Sequence, residues 1–135
     1  MSQGESEHPA GVQVPSWSRT LFAVLGGALA WTLHFLGSYA LVAIACVEGW
    51  TAVRAPIAAA TVALLLVAVW STAAAWRGWR RVSGDQTWDT ALGEPKGWYA
   101  FLMLTGVLLG LISALTIALE GFGGVALPVC GWDVR

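Results

Sequence analysis

The sequence predicts an all-α integral membrane protein: three transmembrane helices in a small bundle, with the N-terminus cytoplasmic and the C-terminus periplasmic. Three observations carry that prediction. The stretches Leu21–Cys46, Ala55–Trp76 and Trp98–Leu119 run for 26, 22 and 22 residues without an Asp, Glu, Lys or Arg. Only 11% of the 135 residues are charged, against about 25% in a soluble domain. The basic residues divide five to two: Arg19, Arg77, Arg80, Arg81 and Lys96 on one side, Arg54 and Arg135 on the other. Excess Lys and Arg mark the cytoplasmic side.

Residues 1–19 read as a flexible cytoplasmic tail. Pro9 and Pro15 interrupt it and apolar residues are few, so it has little to bury. Glu5 and Glu7 stand where a signal peptide would carry basic residues. Residues 20–119 form the transmembrane domain. The first span, about 20–47, contains a 26-residue uncharged core. As a helix that core reaches ~39 Å, more than a bilayer's apolar thickness of about 30 Å. Pro56 suits the first turn of a second helix, where a missing N–H costs nothing. That span, 55–76, is ~33 Å long. A polar cytoplasmic loop, 77–97, follows and is closed by Pro95 and Gly97. The third span is 98–119, and Glu120 is expected to end it. Residues 120–135 form a periplasmic tail, since Gly121, Gly123 and Gly124 disfavour further helix.

The nine tryptophans fit these boundaries, because indoles prefer the headgroup level. Trp17, Trp76, Trp79 and Trp98 fall at the expected cytoplasmic interface, Trp50 and Trp132 at the outer one. Trp31 does not fit. It lies ~18 Å along the helix from Arg19, and its N–H requires a partner there.

A net charge of -1 argues against nucleic acid as a partner. No phosphate loop, dinucleotide fingerprint, zinc-protease motif or nucleophile elbow is present. The chain is not expected to be an enzyme.

His34 is the one imidazole within an apolar span. Gly27, Ala30, Gly37 and Ser38 lie 7, 4, 3 and 4 positions from it, on or beside its face of the helix. A polar residue at mid-membrane is a functional candidate by default. One reading is an axial ligand to haem, with the small residues making room for the macrocycle. The other is a neutral histidine hydrogen-bonded to a neighbouring helix. Thr61, Ser71, Thr72, Thr105, Ser113 and Thr116 are all available, and this is the reading the residues favour. Haem ligated by two histidines would need a second copy or subunit.

The third span carries Gly106-x-x-x-Gly110-x-x-x-Ala114, the small-residue spacing that lets helix backbones approach closely. It serves packing within the chain or against another subunit. Cys46 and Cys130 both fall on the outer side, where a disulfide persists. They form either a bridge from tail to first helix or two separate thiols. Without His or Met beside them they make no metal site. Glu48, Arg54 and Glu120 share the outer rim, as an ion pair or as solvated helix ends.

The pattern Gly26-Gly27-x-x-Ala30-Trp31-x-x-His34-x-x-x-Ser38-Tyr39-x-Leu41-Val42-x-x-x-Cys46 resembles the first span of certain small bacterial membrane proteins. Those proteins are often encoded beside cytochrome c oxidase (haem–copper oxidase) genes. Pro128-x-Cys130 echoes them more weakly. The resemblance implies an accessory subunit or assembly factor of a respiratory complex in the bacterial inner membrane. Its partners would be other membrane subunits and the lipid bilayer, and it would need no cofactor of its own. Two alternatives are a haem- or quinone-binding redox protein using His34, and a small oligomeric carrier or channel subunit.

Overall fold

A computed structural model of the chain describes residues 16–83, 95–127 and Cys130. Three long helices account for nearly all of them: α1, Trp17–Glu48; α2, Arg54–Ser83; and α3, Pro95–Ala126. All three are long and apolar enough to cross a membrane. At 32, 30 and 32 residues, each reaches ~45 Å or more, beyond a bilayer core of about 30 Å.

α1 stops at Gly49, whose φ of 69° places it in the left-handed region. There glycine escapes the Cβ clash. The amides of Gly49 and Trp50 both donate to Ala45 O. A single 3-10 turn, Thr51–Val53, then leads into α2. So short a link makes α1 and α2 antiparallel neighbours, and α3 packs against both.

The core is narrow. Half of its buried apolar residues are alanines, and the set is stacked in three layers along the bundle. Ala23 and Ala75 meet Met103 and Val107 at one end, Ala30 and Ala68 meet Ile117 in the middle, and Ala45 meets Val53 and Ile57 at the other end. Small residues allow close approach. A Cβ on Gly27 would lie 2.8 Å from Gly110 Cα, and one on Gly106 would lie 2.9 Å from Ala23 O. The glycine spacing of the third span is therefore used inside the chain, with Gly110 also packed on Thr72 of α2. Ala114 joins the middle layer. The large residues, such as Leu33, Leu66 and Leu115, face outward. Such a surface is compatible with lipid tails.

Several expected boundaries are corrected. α1 begins at Trp17, inside the expected tail; residues 1–15 of that tail lie outside the described part. α2 continues seven residues past Trp76, so Arg77, Arg80 and Arg81 are helical rather than loop. Arginine is a good helix former, and cations in a last turn complement the helix dipole. α3 starts at Pro95 and runs through Glu120 to Ala126, which removes the expected break at Leu119. Two of its three late glycines are packed on α2 and so do not end the helix: Gly121 lies against Thr61, and a Cβ on Gly124 would reach Ile57 Cγ2 at 3.2 Å. Gly37 is not packed within the chain. Nothing lies within 4 Å of where its Cβ would be, because its position turns off the His34 face towards the outside of the bundle.

Cys46 is bonded to Cys130, with the Cα atoms 5.6 Å apart and 84 residues between them in sequence. Closing a loop of that size is worth at most ~4–5 kcal/mol in the chain-entropy account. The unreduced, denatured protein is expected to resist thiol labelling until a reductant is added. Equal labelling with and without reductant would show that no bridge forms.

Candidate functional site

Among the described residues, a polar cluster centred on His34 joins all three helices. α1 supplies Trp31 and His34, three residues apart and so on one side of the helix. α2 supplies Thr61 and α3 supplies Glu120. The imidazole is buried, only 1% exposed, while the Glu120 side chain is 32% exposed. His34 Nε2 lies 2.9 Å from Thr61 Oγ1, and His34 Nδ1 lies 3.4 Å from Glu120 Oε2. Trp31 Nε1–H donates to the other carboxyl oxygen, Glu120 Oε1, at 3.2 Å. The indole at mid-helix thus has its partner.

Gly121 sets the spacing of the cluster. A Cβ there would overlap the side chain of Thr61, approaching its Oγ1 to 2.6 Å. Without that glycine α3 could not come close enough to α2 for Glu120 to reach a ring that is also bonded to Thr61. The ordinary helix geometry of α2 supplies the rest: Thr61 Oγ1–H donates to Ile57 O at 2.8 Å, one turn back.

Counting hydrogens shows what the cluster holds. A threonine hydroxyl has one hydrogen and two lone pairs. While that hydrogen is on Ile57 O, Thr61 accepts from His34 Nε2–H. Nδ1 then faces a carboxyl oxygen, and the contact is a hydrogen bond only if a further proton lies between them. If the Thr61 hydroxyl turns to donate to Nε2, Nδ1–H donates to the carboxylate with one proton fewer. Both arrangements use the same heavy atoms.

The cluster does not fit an axial haem ligand. Such a ligand offers iron a ring lone pair with open space around it. Both nitrogens of His34 are engaged by this chain's own side chains. The Gly27 and Ala30 surface is also filled, by Gly110 in the first case and by the middle core layer in the second. Among the described residues no three His, Cys, Asp or Glu side chains gather as a metal site would require. Ser38, one turn beyond His34, has a buried hydroxyl oxygen with no hydrogen-bond partner among the described residues.

The structure brings Gly27, Ala30, His34, Gly106, Gly110 and Ala114 into the packed interior and leaves Gly37 outside. Glu120 is the residue that sequence reasoning misplaced. It was expected to solvate a helix end or pair on the outer rim, yet no ion pair joins it to Arg54 among the described residues; its partners are His34 and Trp31. A signal was present. Trp31 and His34 share one side of α1 and both need polar partners, and Glu120 is the sole acidic residue between Gly97 and Ala126.

No protein-family model, curated protein or solved structure matches the chain. Fold and site define its class: a bundle of three helices long and apolar enough to cross a membrane, cross-tied among the described residues by a partly buried polar cluster. The resemblance of its first helix rests on the residues Gly26 to Cys46 alone.

Proposed function

We infer that the chain is an accessory subunit or assembly factor of a respiratory, cytochrome-oxidase-type complex in the bacterial inner membrane, with the N-terminus cytoplasmic. It acts by helix packing and is not itself an enzyme. One observation carries the reading: His34, the residue best suited to hold a redox centre, has both ring nitrogens facing polar side chains of the chain itself. Its role in the first-helix pattern is then structural, as in a packing subunit. The outward leucines of all three helices leave broad apolar faces on which other membrane subunits can sit. The orientation is supported by the five-to-two division of basic residues.

The test is recovery of the tagged chain from its native membranes in mild detergent. Haem–copper oxidase subunits are expected to co-purify, and deleting the chain should reduce the amount of assembled oxidase. Unchanged oxidase in the deletion strain, together with no oxidase subunit in the purified material, would contradict the reading.

A further inference from the structure

At the end of the bundle where α1 begins and α2 finishes, a groove of about 500 Å³ opens between the helices. Arg19 of α1 and Arg77 and Arg81 of α2 line it. Arg77 and Arg81 are four residues apart, and so share one face of α2. All three arginines are exposed, and none has an ion-pair partner among the described residues. Three cations around one opening repel one another unless an anion sits between them. The groove has a second character further in. Ala23 and Ala74 leave space, and Phe22 and Trp70 wall it, with Trp70 ~10 Å along α2 from Arg77. Both aromatic side chains stay exposed, Phe22 by 41% and Trp70 by 69%.

We propose that this groove binds one anionic phospholipid from the adjoining leaflet, its phosphate held by Arg19, Arg77 and Arg81 and an acyl chain lying along Phe22 and Trp70. A ligand that is anionic at one end and apolar along its length satisfies both parts. Inorganic phosphate would satisfy only the rim. The arginine side chains also suit the site: their planar forks bind phosphate oxygens in pairs, and they reach the headgroup level from helix ends. The proposal is independent of the respiratory reading, since it needs only that the bundle lie in a bilayer.

The test is native mass spectrometry of the full chain, delipidated in mild detergent and titrated with phosphatidylglycerol or with phosphatidylcholine of the same acyl chains. Phosphatidylglycerol should be retained in preference, as a single bound lipid. Arg77→Gln with Arg81→Gln should weaken it by on the order of tenfold to thirtyfold, given what each basic residue contributes near anionic headgroups. Trp70→Ala, which leaves every charge in place, should weaken it severalfold. Both changes are at exposed positions, and an unaltered melting curve checks that each variant folds. Equal retention of the two lipids would overturn the proposal. So would loss of phosphatidylglycerol on removing the arginines but not Trp70, with competition by inorganic phosphate, because the site would then be a phosphate site and not a lipid site.

Discussion

Replacing Gly27 by leucine is expected to force α1 away from α3 and to cause the largest loss of stability of any single change in the bundle. A Cβ at this position would meet Gly110 Cα at 2.8 Å. The obstacle is backbone, so no rotamer change relieves it. Overpacking a tight interior costs about 1–3 kcal/mol and occasionally more. Alanine should fall within that range, and leucine at or above its top. Separating the helices here also pulls Trp31 and His34, one and two turns further along α1, away from Glu120. Gly37→Leu is the matched control. It makes the same substitution on the same helix, two or three turns away, where nothing lies within 4 Å of the added Cβ. Its effect on unfolding in detergent should be close to zero. Similar losses in the two variants would mean that the α1–α3 contact at Gly27 is not the close one described.

The second large effect is expected at His34. Tryptophan should be the worst replacement, because the imidazole is only 1% exposed and a larger ring has no space. A loss of ~3 kcal/mol or more is expected, again from overpacking. Leucine should cost less, ~1–2 kcal/mol, since it leaves Glu120 without its α1 ring partner while Trp31 still donates to it. Glutamine should be mildest. It can donate or accept at one of the two positions, and interhelical bonds in membranes average only about 0.6 kcal/mol. The order glutamine, leucine, tryptophan, read from unfolding curves, identifies a packed polar tie. If glutamine and leucine were equally harmless, the contacts to Thr61 and Glu120 would carry no stability.

The number and place of the helices were legible because three uncharged runs of this length have no other stable form in a bilayer. Their ends were not. Helices that outrun the apolar core continue into sequence that reads as loop, as α2 does through Arg77 and Arg81. The glycines at 121 and 124 read as breakers because their packing partners, Thr61 and Ile57, come from another helix. The same limit hid the centre of the site. His34 was visible as a residue in need of a partner, and Thr61 was among six candidates. Glu120 was not among them, since the expected helix end placed it outside. Gly27 and Gly37 are alike in local sequence, and only the crossing of α1 over α3 separates a residue pressed on Gly110 from one facing outward.

The central claim is that His34 ties the helices together and holds no redox group. The visible absorption spectrum of the chain purified free of other subunits, compared with that of His34→Gln, separates the two roles. No haem Soret band is expected in either sample, with both bundles folded. A Soret band in the wild-type protein that disappears in the folded His34→Gln variant would contradict it.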